Sequence, residues 1–248
     1  MAHITSARIR KAESLCRRQA SKLRREHGLM ARAQVKKAPD IDAAMTLKET
    51  LTKELLTALA ESYPKDGFTH EGKELKASQE GGLMWHINGL GGFENFVRGR
   101  EDFYQLFVIT KDGKPVEAFG YLPLADQLSL AVHNNGATGY ESRLRVSGRK
   151  NLKGGIVNLA PECAAKAAAL MEAEADVRVS GSLLTDILDV CAGRVEGFAS
   201  HEMPLAEGLF AALMVTESGG KTTEPGGDNG IFIAANLDCY NLVKKHVG

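Results

Sequence analysis

Three apolar runs separated by turn signals, and a change of rhythm near residue 151, restrict this chain more than any other feature. Residues 103–110, 116–122 and 128–132 read as successive strands, the first two rich in β-branched and aromatic side chains. Lys111-Asp112-Gly113-Lys114 between the first two carries the Asp-Gly core of a tight hairpin, and Asn134-Asn135-Gly136 follows the third. The pattern predicts an antiparallel sheet. Beyond it, strand-like segments at 156–159, 177–179, 195–198 and 231–234 alternate with helical ones at 161–174, 183–191, about 205–215 and a last helix to His246. The expected organisation is an α+β half over 1–150 and an α/β half over 151–248, packed as one compact unit.

Ahead of the sheet, Ile9, Ala12, Cys16, Ala20 and Leu23 fall on one helical stripe, with Arg10, Arg17, Arg18, Arg24 and Arg25 on the other faces and Gly28 as the expected stop. Residues 1–39 hold eleven Lys and Arg against Glu13 and Glu26, a balance of +9 in a chain of net charge zero. Such a helix, over 6–27, is either a surface helix with a solvated basic face or a docking surface for RNA or a protein partner. Thr46 followed by Glu49 has the form of a capping box, and Leu47, Leu51, Leu55 and Leu59 continue a second helix to Tyr63-Pro64.

No apolar run approaches the roughly 20 residues of a membrane span, and the start has no signal-peptide core. Cys16, Cys163, Cys191 and Cys239 lie far apart without CxxC spacing, which reads as buried thiols in a reducing cytoplasm. His70, His86, His133 and His201 form no HExxH, and His86, beside Trp85 in a strand, is expected to be packed or hydrogen-bonded. Gly226-Gly227-Asp228-Asn229-Gly230 reads as a turn and not a phosphate loop, since a strand follows it and no Lys-Ser/Thr does.

The segment from Trp85 to Phe96, Trp-His-Ile-Asn-Gly-Leu-Gly-Gly-Phe-Glu-Asn-Phe, resembles the signature of the inositol monophosphatase family, in which Trp and two apolar residues precede Asp-Pro, Leu or Ile, Asp-Gly-Thr and, one position later, Asn-Phe. Trp85, Ile87, Leu90, Gly92, Asn95 and Phe96 keep the frame. Tyr63-Pro64 with Phe68 and Glu71-Gly72, Arg178 with Gly181-Ser182, Ala192-Gly193-Arg194-Val195-Glu196-Gly197-Phe198, Glu217-Ser218-Gly219-Gly220, Gly226-Gly227 and Ala234-Ala235-Asn236 resemble further family segments in the same order. The resemblance covers nearly the whole chain. It implies an α/β (α+β) fold, a five-layer αβαβα sandwich with the family site between the halves.

That site, in active relatives, holds Mg²⁺ on several carboxylates to bind phosphate and activate water. The resemblance puts Lys48 where a first carboxylate is expected, Glu71-Gly72 on a Glu-Glu pair, Asn88 and Gly91 on two aspartates and Phe93 on the catalytic threonine. It leaves the carbonyl of Leu90, puts Leu183 on the Ala of the Gly181-Ser182 turn, and sets Glu207 on the Asp of a later helix. No catalytic residue and no metal are therefore expected; any metal would fall to Glu71 and Glu207. Lys48 is expected beside Glu71 or Glu207, and Gly91-Gly92 ahead of Glu94 could offer backbone N–H groups to an anion.

The function expected is that of a non-catalytic family member, a pseudophosphatase kept for binding, assembly or regulation. The resemblance also implies a homodimer and, from some bacterial relatives, contact with transcription machinery. The alternatives are an active Mg²⁺-dependent phosphatase of inositol or sugar monophosphates, with Glu71, Glu74, Glu94 and Glu207 as ligands, and RNA binding through the basic helix.

Overall fold

The computed structural model describes residues 6–34, 38, 40–224 and 230–248. The turn expected at Gly226-Gly227-Asp228-Asn229 lies outside the described residues, as do Lys36 and Lys37 of the basic segment.

Eight strands make the first sheet: β1 (Gly67–His70), β2 (Lys73–Lys76), β3 (Met84–Gly91), β4 (Tyr104–Lys111), β5 (Lys114–Leu122), β6 (Gln127–Val132), β7 (Gly136–Gly139) and β8 (Ser142–Arg143). Their order is β2-β1-β3-β4-β5-β6-β7-β8, antiparallel throughout except for the parallel pair of β1 and β3. The β4–β5 hairpin turns at Asp112 and Gly113, both at positive φ (50° and 76°), as its Asp-Gly pair predicts. The second sheet, β10 (Asp176–Arg178), β9 (Ile156–Leu159), β11 (Gly197–Ser200), β13 (Phe232–Ala235) and β12 (Lys221–Thr222) in that spatial order, is mixed.

Alternation along the central strands sets the layers. Ile87, Phe107, Ile109 and Phe119 pack on α1 (Ala7–Ala33) and α2 (Ile41–Ser62), while Leu106, Val108, Ala118 and Ala131 point the other way, onto α5 (Leu183–Cys191) and α6 (Leu205–Glu217). The second sheet repeats the device: Phe198 and Ala234 face α5 and α6, whereas Val157, Ala199 and Ile233 face α4 (Ala167–Glu172) and α7 (Tyr240–Val247). Helices, sheet, helices, sheet, helices are the five layers expected. The signature segment forms β3, a left-handed turn at Gly92 (φ 65°) and the short α3 (Phe93–Val97).

Several sequence expectations are corrected. Gly28 does not end α1, which continues one and a half turns further because His27 and Met30 stay on the buried stripe and Gln34 closes the last turn on Met30 O. Carrying a glycine inside a helix costs about 1 kcal/mol relative to alanine, less than burying a methionine stabilises. Asp40, not Thr46, caps α2, accepting from Ala43 N at 3.0 Å, and the Thr46 hydroxyl donates back to Asp42 O from inside the helix. The hairpin of β1 and β2, for which the sequence offers no strand signal, is a sheet edge. The helix expected at 161–174 opens as a 3-10 turn over Pro161–Lys166 before α4.

One buried carboxylate ties the first helix to the signature strand. Asp66 accepts from Arg8 Nε (2.7 Å) and Nη2 (2.9 Å), from the Trp85 indole (2.9 Å) and from Leu83 N (3.1 Å). Burial alone would raise its pKa; the bonds from Arg8, Trp85 and Leu83 hold it below the usual carboxylate range.

Candidate functional site

Four elements converge on a cavity of about 310 Å³ lined by Lys48, Thr69, Glu71, Asn88, Leu205 and Glu207, among others. Lys48 comes from α2, and Glu71 and Gly72 from the β1–β2 turn, where both take positive φ (49° and 74°). Asn88 sits on β3 and Glu207 in the first turn of α6, a position where the helix dipole favours a negative charge.

Glu207 is the floor of the site. It is 3% exposed, and its Oε1 accepts from Asn88 Nδ2 at 2.5 Å and from the Tyr104 hydroxyl at 3.1 Å. The Asn88 amide is fixed at both ends, since its Oδ1 accepts from Leu90 N at 3.2 Å. Burial raises the pKa of Glu207, against the two side-chain bonds and the nearby charge of Lys48. Burial and the Glu207 carboxylate push the Tyr104 hydroxyl well above its ordinary value, so it stays a donor at every physiological pH.

Lys48 is the mouth. Its Nζ lies 2.6 Å from Glu71 Oε1 and 5.9 Å from the centre of the Phe93 ring, and this ion pair lowers the pKa of Glu71. The ammonium bonds to Glu71 and acts on Glu207 only through space. Because the Glu71 side chain is 59% exposed, water and salt screen the pair, and Lys48→Met is expected to cost under about 1 kcal/mol. A thermal melt showing a loss of about 3 kcal/mol would instead mean a dry pair.

The structure leaves other candidate residues away from this cavity. Leu90 is buried among Leu23, Leu51, Phe96 and Phe103. Gly91 pairs with Tyr104 across the sheet, and Gly92 turns against Asp102 O. Gly181 (φ 74°) packs on Asn95, whose Nδ2 donates to Ser180 O; the Ser182 and Thr185 hydroxyls bond to each other at 3.0 Å, and Leu183 rests half-buried on the core. Glu74 and Glu94 are exposed and do not line the cavity. His86 is a packed histidine bonded to the Thr69 and Thr110 hydroxyls, and His201 lies on the surface. Because α3 has five residues and Gly91-Gly92 lies off the cavity, the backbone anion site expected there gains no support. Tyr104, the second donor to Glu207, went unseen in the sequence; it reads there as one more strand aromatic.

The magnesium that the resemblance implies would need about six oxygen ligands, carboxylates among them. The cleft offers one buried carboxylate already accepting two hydrogen bonds, one exposed carboxylate bonded to an ammonium, and an amide that turns its N–H groups inward. This donor set does not fit a hard divalent cation. Among the described residues no group of three or more His, Cys, Asp or Glu side chains is placed to hold a metal.

The first helix spends much of its basic face within the fold. Arg8 binds Asp66, Arg17 binds Glu13 and Asp126, Lys22 binds Glu54, and Arg24 donates to Pro123 O. Among the described residues Lys11, Arg18 and Arg32 make no ion pair. No described helix is long and apolar enough to cross a membrane.

Comparison with known proteins agrees with this architecture. A Nus factor SuhB from Xylella fastidiosa is 30% identical over 190 residues, covering 73% of this chain and 68% of its own length. An inositol-1-monophosphatase from Rhizobium meliloti is 28% identical over 193 residues, 74% and 72% of the two chains. In fold, the extragenic suppressor protein suhB of Bartonella henselae superposes with a TM-score of 0.85 at 24% identity, over 98% of this chain and 99% of that one. The inositol monophosphatase of Anabaena sp. gives 0.76 at 18% identity, over 96% and 95%. A family model, inositol monophosphatase family, matches residues 5–246, and with the layered fold and the retained signature frame this places the chain in that family.

Proposed function

We propose that this chain is a non-catalytic member of the inositol monophosphatase family that works by binding. The observation that carries the reading is the Asn88–Glu207 hydrogen bond: the amide donates an N–H to the buried carboxylate, where a second carboxylate with no metal between them would repel it. Lys48 completes it, supplying a fixed positive charge beside Glu71. The relatives named Nus factor SuhB support a protein or RNA partner, and on this reading the chain works in the cytoplasm as a homodimer. The exposed cations of α1 supply a docking face; RNA bound through Lys11, Arg18 and Arg32 would instead show a steep loss of affinity with salt.

Phosphate release from inositol monophosphate and other small esters, assayed with Mg²⁺, is expected at the no-protein background, and calorimetry should register no Mg²⁺ binding in the micromolar range. Turnover near the ordinary enzymatic scale of about 1 s⁻¹ or above would overturn the reading and favour the active phosphatase, to which the Rhizobium meliloti relative points.

A further inference from the structure

We infer that Tyr104 is the residue that closes this cleft to a divalent cation, by filling the space that a side chain at position 91 would need. The inference rests on the non-catalytic reading above and adds to it a specific cause. Gly91 and Tyr104 are cross-strand partners at the end of the β3–β4 pair, next to a break in register after Asn88. A Cβ built on Gly91 falls into the Tyr104 ring and 2.7 Å from its hydroxyl. An exposed tyrosine would swing aside. Tyr104 is 2% exposed, packed among Leu106, Leu184 and Phe210, and pinned by its bond to Glu207.

A second position on the same strand behaves alike. A Cβ on Gly89, where the resembling signature has proline, would overlap the hydroxyl of Thr52, a side chain 3% exposed on α2. At 89 and 91 the strand is reduced to backbone, and a neighbour from another element occupies the space. The hydroxyl of Tyr104 then reaches the one buried carboxylate that a metal would use. A carboxylate at 91 and a tyrosine at 104 exclude each other, so no single reversion at 88, 91 or 48 opens a metal site.

Two measurements test this. In the first, Gly91→Ala and Tyr104→Ala are each expected to lower Tm by several degrees, and Gly91→Ala to cost far less in a chain that already carries Tyr104→Ala, so that the double variant is more stable than the two single losses added together predict. Additive losses overturn the inference. In the second, Mn²⁺ binding is followed by paramagnetic resonance in two chains that both carry Lys48→Asp, Asn88→Asp and Gly91→Asp, one with Tyr104 retained and one with Tyr104→Ala. The chain lacking the tyrosine is expected to bind Mn²⁺ at least tenfold tighter. Equal binding in the two chains, or equal absence of it, overturns the role of Tyr104 while leaving the phosphate-release result on the native protein untouched.

Discussion

Asp186→Asn is expected to stabilise the protein at pH 8 by up to about 4 kcal/mol and to remove the decline in stability between pH 4 and 7 expected of the native chain. Asp186 is 1% exposed on the inner face of α5, and its pKa is raised to about 7, first by burial and further by Asp189 and Asp102, against bonds from Ser180 and Asn158. Its Oδ1 accepts from Asn158 Nδ2 at 2.9 Å, while Asp186 Oδ2 and Asn158 Oδ1 are both buried without a partner. A proton on Oδ2 is what this pair of acceptors lacks. Below about pH 4 both folded and unfolded chains hold the proton and the residue is neutral in each. Between about 4 and 7 the folded chain holds a proton that the unfolded one has released, so stability falls with pH by about 1.4 kcal/mol per unit, levelling above 7. Asparagine at 186 keeps the acceptor and turns N–H groups toward Asn158. Urea titrations of both chains at pH 5 and pH 8 decide the matter: an equal gain at the two pH values would mean that Asp186 is ionised throughout.

Arg8→Met should cost about 3 kcal/mol at neutral pH, because it strands the buried Asp66 carboxylate with only the Trp85 and Leu83 N–H donors. The figure is at the low end for a broken buried pair, since the Arg8 side chain is 31% exposed. The sign of the pH effect follows from the lowered pKa of Asp66. Its contribution is present above the ordinary carboxylate value and is lost as pH falls through the folded one. The gap between native and variant proteins should therefore be widest near pH 7 and shrink as acid protonates Asp66 in the variant. Trp85 is the sole tryptophan and is bonded to Asp66, so its emission reports the unfolding directly. A gap unchanged down to pH 4 would show that Arg8 contributes through packing on Tyr63 rather than through charge.

Much of this fold was legible because its signals are local. The β4–β5 hairpin follows from an Asp-Gly pair between alternating strands, and the bounds of α5 from an amphipathic run behind Gly181-Ser182. Errors arose where one residue type serves two contexts. A glycine at 28 looks like a stop but is carried by a buried stripe, and Thr46 has the spacing of a cap while Asp40 makes the bond. At the site, sequence brought Lys48, Glu71, Asn88 and Glu207 to notice through what each replaces, and the fold sets them around one cavity. It gave no sign of Tyr104 or Thr52, since what they do is fill space beside glycines on a different element, and volume complementarity across a sheet leaves no local pattern.

The anchoring of α1 has a consequence for how the chain is made. Its polar fastenings reach far along the sequence: Ser6 to Glu117, Arg17 to Asp126 and Arg24 to Pro123 O, separations of 111, 109 and 99 residues. The helix leaves the ribosome ahead of the strands that receive it, which are synthesised roughly 5 to 20 seconds later at ordinary elongation rates. During that interval Ile9, Ala12, Leu15, Cys16, Ala20 and Leu23 have no sheet to cover them. The arginines on the opposite faces give the waiting helix a charged surface, and its docking closes contacts of the long sequence separation that slows folding.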